Sequence, residues 1–249
     1  MTSSSSPIGM TVRDAEAHDT AALQALFAAR AINMPIDMPI DMPATSRRLV
    51  AQASDGRLLA TLQLNARIGL TQPRYWFHVG LVVHAAAALG LVRPQRTLLL
   101  CNDLTGAAEL GHIAWHDAAA LAPLVSAAQA LVAAESGRYG ESLIVELPGV
   151  RDALGQHPFW QGLGRHFYGG ELQDTATRAG PEWRSHVAVM LPRHLIYASF
   201  LPDTAQTAIA SCAAYAEPLR QVLHARGMQW RGHVGVVDGA AVMAWTPGA

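Results

Sequence analysis

The order of strand-like and helix-like segments constrains the fold of this chain more than any other feature. The first such segment, residues 11–13, has a β-type pattern. Asp19 follows it and can cap a helix in which Leu23, Leu26 and Phe27 share one face. The sequence therefore opens with one strand that leads into one amphipathic helix.

A β-hairpin is predicted next. Residues 48–53 and 58–65 are apolar-rich segments separated by Asp55-Gly56. An Asp-Gly pair readily adopts positive φ in a tight turn between antiparallel strands. This pair therefore indicates two neighbouring strands.

Further segments extend this mixed order. Residues 98–101, 109–115 and 142–147 read as strands, and residues 118–134 place apolar side chains at helical spacing. Because strands and helices alternate in this way, the order predicts an α/β fold. After a stretch rich in glycine and proline, we expect a strand at 185–190 and helices at 204–214 and 217–226, which form a second part.

Composition excludes several kinds of chemistry. All 18 basic residues are arginines, so mechanisms that need a lysine Schiff base or a P-loop lysine are ruled out. The net charge of −1 argues against nucleic acid or an anionic membrane as the main partner. The longest uncharged apolar run, between Asp117 and Glu135, is too short for a membrane span.

The two cysteines, Cys101 and Cys212, suggest a reducing compartment, and we expect a cytoplasmic protein. They lack the Cys-x-x-Cys spacing of common zinc sites, so no metal is expected. Residues 1–10 have no basic region before an apolar stretch and are interpreted as a disordered lead-in, not a signal peptide.

One internal repeat interrupts the pattern. Met-Pro-Ile-Asp occurs at residues 34–37 and again at 38–41. Proline lacks the amide donor and disfavours helix in the residue before it, so we expect an extended loop. A surface excursion and a loop that covers a substrate are both compatible with it.

Motifs spread along the chain resemble known acyltransferases. Residues 12–15, the Asp55-Gly56 pair and residues 159–164 resemble the pattern of GCN5-related N-acetyltransferases. A longer series of motifs resembles the arginine N-succinyltransferase family. These motifs are Tyr75-Trp76 with Val79-Gly80, and residues 81–85, 102–110, 149–152, 158–167, 191–197, 200–201 and 237–239.

The resemblance implies a fold and an activity. It implies two acyltransferase-like halves, each a curved and mainly antiparallel sheet flanked by helices, here expected at residues 11–175 and 176–249. It also implies transfer of a succinyl group from succinyl-CoA to the α-amino group of arginine, a step of arginine catabolism. A small amine such as arginine, and a second copy or a related acyltransferase subunit, are the expected partners.

Ile113 matches a family position whose main chain binds the acyl-CoA, and His112 lies beside it in the same predicted strand. These two residues are our candidates for cofactor binding. His84 has two interpretations, a hydrogen-bonded core histidine or a residue of the substrate site.

Carboxylates best recognise the cationic ends of arginine, and the acidic residues nearest the match are Asp103 and Glu109. With His84, Asn102 and Thr105, they form our predicted substrate site. An ordinary turn at residues 102–106 is the alternative. No catalytic residue is assigned.

Two positions depart from the family pattern. In this fold class a glycine-containing turn holds the CoA pyrophosphate, but no glycine occurs between Asp117 and Gly137. The position of the family's proton-donating histidine falls at Ala213. A non-catalytic homologue, acting as a partner subunit or a metabolite sensor, therefore remains the alternative to an active enzyme.

Overall fold

One ten-stranded sheet organises the molecule. A computed structural model describes residues 9–28, 46–180 and 183–248; residues 1–8 of the expected lead-in and the Met-Pro-Ile-Asp repeat lie outside these ranges. The strands are β1 (Met10–Asp14), β2 (Ser46–Ala53), β3 (Leu58–Asn65), β4 (Trp76–Ala86), β5 (Leu91–Cys101), β6 (Ala108–Trp115), β7 (Leu143–Glu146), β8 (Ile196–Tyr197), β9 (Gln229–Gly235) and β10 (Ala241–Trp245).

Helices connect and cover these strands. They are α1 (Thr20–Ala28), α2 (Leu121–Ala134), α3 (Ser136–Tyr139), α4 (Pro158–Gly162), α5 (Leu172–Ala179), α6 (Trp183–Val189), α7 (Asp203–Ala208) and α8 (Glu217–Ala225). Within the described ranges, no helix is both long enough and apolar enough to cross a membrane.

The strands are arranged in the order β1-β2-β3-β6-β7-β10-β9-β4-β5-β8. Neighbours are antiparallel except for β6 and β7, which run parallel. This mixed, mainly antiparallel sheet with flanking helices confirms the predicted fold class.

Two apolar clusters form the core on the first face of the sheet. One packs α2 and α8 against β2, β3, β6, β7 and β10, with Leu62, Leu124 and Leu143 fully buried. The other packs α4, α6 and α7 against β4, β5 and β9, with Phe77 and Phe159 at its centre. The two clusters therefore pack helices against different halves of one continuous sheet.

Side-chain alternation sends the intervening residues to the opposite side, which we call the second face. At one end of this face α1 packs on β2 and β3 through Leu23, Val50 and Leu58. Further along, a small cluster contains Trp76 and Ile144. The second face also carries most of the charged residues described below.

The predicted hairpin at the N-terminal end is confirmed. The Asp55-Gly56 pair connects β2 and β3, with Gly56 at φ +87° and the Asp55 carboxylate accepting the Arg57 amide. Asp19 directly precedes α1, whose Leu23 and Leu26 are buried. Its carboxylate accepts hydrogen bonds from Arg13 and from the Glu16 amide, so it closes the turn before α1.

One predicted strand is wrong. Residues 185–190 belong mostly to α6, not to a strand. Val187, Ala188 and Leu191 are buried together, which is the spacing of one helical face. A short apolar segment such as this one fits either period, and packing against α4 and α7 selects the helix.

A long hairpin formed by β4 and β5 was only partly anticipated. The two strands pair with each other from Trp76↔Cys101 to Ala86↔Leu91, whereas β9 pairs with β4 only as far as His78. Residues 81–96 therefore project beyond the body of the sheet. Large apolar side chains are exposed on this arm: Leu81, Val83, Leu89, Leu91 and Val92.

The division at residue 175 stays a prediction. Strands β9 and β10 follow that residue in sequence, yet they lie between β7 and β4 in the sheet.

Candidate functional site

A bulge in β6 shapes the candidate cofactor site. Gln63 pairs with Gly111 and Thr61 with Ala114, so Leu62 alone lies opposite both His112 and Ile113. His112 adopts a positive φ of +46° at this bulge. Bulges re-aim the backbone and are frequent beside active sites.

The strand on the other side of β6 leaves it after two residues. In the described chain, β7 pairs with β6 only at Ala108↔Leu143 and Glu109↔Ile144, although β6 continues to Trp115. Backbone donors and acceptors of β6 from Gly111 onward thus have no strand partner in β7 and can bind a ligand. Ile113 and His112 lie in this stretch.

His112 has a distinct electrostatic environment. Partial desolvation lowers its pKa, and the positive charges of Arg48 and Arg184 lower it further. The imidazole is therefore neutral at pH 7 and able to accept a proton.

The turn after β6 replaces the expected glycine turn. A 3-10 turn, Ala118–Ala120, leads into α2, and the exposed Asp117 side chain accepts the amide of Ala119 at 2.9 Å. A carboxylate therefore already lies at the helix entry where this fold class holds the pyrophosphate.

Arg74 joins two carboxylates on the second face. Its guanidinium donates to Glu109 Oε1 at 2.8 Å and to Glu146 Oε1 at 2.6 Å. Trp76 Nε1 also donates to Glu146 at 2.6 Å. Although burial alone would raise the pKa of Glu146, Arg74 and Arg184 hold that pKa below its usual value. The Glu146 carboxylate is therefore ionised at neutral pH.

Arg184 borders the same place from α6. Its Nη1 lies 3.8 Å from Glu146 Oε2, beyond hydrogen-bond distance, and the side chain is 55% exposed. A small mixed-charge pocket opens here beside the end of β7. Its lining is Arg74, Tyr75, Glu146, Arg184, Ser185, Gly235, Val236, Val237 and Asp238.

The loop between β5 and β6 contains three of the predicted substrate residues. The amide and hydroxyl of Thr105 both donate to the carbonyl of Asn102, which is the hydrogen bonding of a turn. Asp103 accepts from His233 Nε2 on β9, at 3.0 Å to each carboxylate oxygen. Cys101 lies next to this pair.

Asp103 and Glu109 do not form one acidic pair. Asp103 contacts His233, whereas Glu109 contacts Arg74 and Asn65. The two carboxylates therefore belong to separate networks.

His84 lies away from the other predicted substrate residues. It lies on the projecting arm, where it pairs with Arg93 and its ring packs near Tyr197. Eight residues of strand separate it from Trp76, which corresponds to roughly 25 Å. A role for His84 in the amine site would need a contact from outside the described residues.

The structure adds residues that sequence reasoning missed. Arg74, Glu146 and Arg184 come from a loop, a strand end and a helix, and 72 residues separate Arg74 from Glu146. No local motif links them. Ala213, at the position of the family's histidine, is buried and donates its amide to the Pro148 carbonyl.

The mixed sheet, with a bulged strand beside a parallel neighbour and with helices packed on it, defines a GCN5-related fold. The solved structure of arginine/ornithine succinyltransferase subunit AI from Pseudomonas aeruginosa shares this fold, with a TM-score of 0.69 and 22% identity over 96% of this chain and 77% of that one.

The family follows from the sequence comparison. The arginine N-succinyltransferase beta subunit family model matches residues 47–246, and the chain belongs to this family. Arginine N-succinyltransferase subunit beta of Pseudomonas aeruginosa is 33% identical over 202 residues, which cover 79% of this chain and 59% of that protein. Arginine N-succinyltransferase of Yersinia pestis is 30% identical over 191 residues, covering 75% and 55%. The chain thus spans little more than half the length of these relatives.

Proposed function

We propose that this protein is a CoA-dependent N-acyltransferase that moves a succinyl group from succinyl-CoA to the α-amino group of arginine. The observation that carries this proposal is the bulge at His112 and Ile113, where β6 continues without its parallel neighbour. Family membership supports the choice of substrates, because both relatives are named for arginine N-succinylation.

In this proposal the β6 backbone near Ile113 binds the pantetheine arm of the acyl-CoA. The neutral amine of arginine attacks the thioester carbonyl, the new C–N bond forms and the C–S bond breaks. The departing CoA thiolate takes up a proton, and the amine gives up its own. His112 lies beside the bulge and is neutral at pH 7, so it is our candidate to accept that proton.

The second face carries charges of both signs. We retain Glu109 as a substrate-binding residue, and a cationic amine would compete with Arg74 for its carboxylate. Asn102, Asp103, Thr105 and His84 stay predictions. For the acyl donor, Arg184 is a suitable partner for the distal carboxylate of the succinyl group, because this exposed cation borders the pocket at the end of β7.

A second candidate function is supported by one contact. The Asp117 carboxylate at the entry to α2 would repel a pyrophosphate, and no imidazole is present at Ala213. A non-catalytic homologue that binds arginine but holds CoA weakly would have these features.

The test is calorimetry with succinyl-CoA and with arginine separately, followed by an assay for free CoA thiol with both present. Binding of both ligands with thiol release supports the enzyme. Arginine binding without thiol release supports the sensor or partner subunit. Failure to bind either ligand would contradict both functions.

We also propose that the chain associates with another acyltransferase chain. The family is named for a subunit, and the apolar arm at residues 81–96 offers the contact surface. Light scattering on the unmodified protein and on Leu81→Asp tests this: a larger assembly that the substitution reduces is expected, and a monomer in both cases would reject it.

A further inference from the structure

Three side chains that commonly bind metals converge on the second face, apart from the bulge in β6. They are Cys101 at the end of β5, Asp103 in the turn that follows, and His233 on β9. One ligand atom from each, the thiol sulfur, a carboxylate oxygen and an imidazole nitrogen, lies within 4.8 Å of the other two. We propose that these residues form a binding site for a divalent zinc ion.

The sheet builds this site across three strands. His233 pairs with His78, and Cys101 pairs with Trp76, so side chains of β9 and β5 meet over the backbone of β4 between them. The site therefore results from strand pairing and not from a flexible loop alone.

The neighbours of His233 fix its position. The residue is buried, and its backbone carbonyl accepts a hydrogen bond from Trp230 Nε1 at 2.8 Å. The ring of His78 packs edge-on against it, with 5.2 Å between centroids. The His78 imidazole is therefore our candidate for the fourth position, which a water molecule would otherwise fill.

The chemistry of the three ligands suits zinc. Thiolate, imidazole and carboxylate together are typical of tetrahedral zinc sites. Around such an ion, ligand atoms lie about 3.3–3.8 Å apart, so small side-chain rotations convert the present arrangement into a coordinating one. On binding, the Cys101 thiol releases its proton to solvent, and the resulting thiolate and the Asp103 carboxylate balance the two positive charges of the ion.

One ligand of the site faces solvent. Asp103 has a side chain that is 55% exposed, which gives an ion access from solvent.

Cobalt(II) and zinc titrations of the chelator-treated full-length protein test the proposal. We expect one cobalt ion per chain with an absorption band for thiolate-to-cobalt charge transfer, and we expect zinc to displace the cobalt. Cys101→Ser should remove the band. His233→Gln and Asp103→Asn should each weaken zinc binding more than about 100-fold, because loss of an outer-shell partner already costs up to about 100-fold in metal affinity.

Cys212→Ser provides the matched control, because Cys212 is the second free cysteine and lies outside this cluster. This variant should keep both the band and the affinity. Cobalt binding without a thiolate band, or equal zinc affinity in Cys101→Ser and the unmodified protein, would overturn the proposal. Circular dichroism shows whether each variant folds. If another variant fails to fold, the zinc affinity of Asp103→Asn, which preserves the size of the side chain, decides whether the proposal stands.

Discussion

The carboxylate of Asp117 accepts the backbone amide of Ala119 at 2.9 Å. Anions bind at helix entries because unpaired amides and the helix dipole favour negative charge there. In this chain a side chain of the protein occupies that position. For the proposed acyl-CoA site, we therefore expect weak CoA binding.

Asp117→Asn should therefore strengthen CoA binding. The substitution removes the charge but keeps an oxygen that can accept the Ala119 amide. One charge at a helix N-terminus is worth about 0.3–1 kcal/mol, so we expect the Kd for CoA to fall about two- to fivefold. Calorimetry at low salt is the measurement.

Asp55→Asn is the control for that experiment. Asp55 also accepts a backbone amide, that of Arg57, but it lies in the β2–β3 turn. Its substitution should leave the Kd unchanged. An equal or weaker affinity in Asp117→Asn would mean that the pyrophosphate binds elsewhere.

Arg184→Gln should reduce discrimination between acyl donors. A hydrogen bond to a charged group contributes about 1.5–3 kcal/mol, so loss of the Arg184 contact should weaken succinyl-CoA binding at least about tenfold. Acetyl-CoA has no distal carboxylate, and its affinity should not fall. Parallel titrations with the two donors measure the ratio.

Arg220→Gln is the matched control, because Arg220 is also a half-exposed arginine paired with a glutamate, but on α8. It should bind both donors as the unmodified protein does. If Arg184→Gln weakened both donors equally, Arg184 would contact a part that they share.

The pocket beside Arg184 illustrates what the sequence could not predict. The β2–β3 hairpin was predictable because its signal, Asp55-Gly56, is local. The pocket was not, because Arg74, in the loop before β4, meets Glu146, at the end of β7, although they are 72 positions apart in sequence. Burial decided the assignment of α6, since the pattern at residues 185–190 fits both a strand and a helix.

The bulge in β6 shows an intermediate case. The strand itself was predicted with nearly correct bounds, and resemblance indicated Ile113. The extra residue that places His112 at positive φ depends on pairing with β3, which no local pattern specifies. The position of a site residue was thus predictable, but its backbone conformation was not.

His112→Gln tests the proposed proton acceptor. Loss of a general base lowers turnover by about 100-fold or more, and we expect that loss in kcat with little change in the KM for succinyl-CoA. Desolvation and nearby arginines lower the pKa of His112, so the acid limb of the kcat/KM profile should lie below pH 6.5. The variant should lose this limb.

His116→Gln serves as the control, since His116 is an exposed imidazole just beyond the end of β6. Its kcat and pH profile should match those of the unmodified protein. An unchanged acid limb in His112→Gln would assign the titrating group to another residue.

The last prediction concerns stability and depends on Asp19. Two hydrogen bonds from Arg13, at 2.6 and 2.8 Å, and one from the Glu16 amide hold this buried carboxylate at the start of α1. The bond from Arg13 is the main cause that lowers the pKa of Asp19 from 3.8 to about 2. A carboxyl group with a lowered pKa in the folded state stabilises the fold above its unfolded pKa, and that contribution disappears as the pH falls through the folded value.

Asp19→Asn should therefore lower the free energy of unfolding by roughly 2 kcal/mol at pH 7. The difference from the unmodified protein should shrink between pH 4 and about 2, where Asp19 itself takes up a proton. Urea unfolding at several pH values measures both effects.

Asp14→Asn is the matched control, because Asp14 also pairs with an arginine, Arg47, in the same region. The Asp14 carboxylate is half-exposed, so loss of this pair should lower the free energy of unfolding by less than about 1 kcal/mol. A difference for Asp19→Asn that stayed constant down to pH 2 would show that the packing of the side chain, and not its charge, stabilises the start of α1.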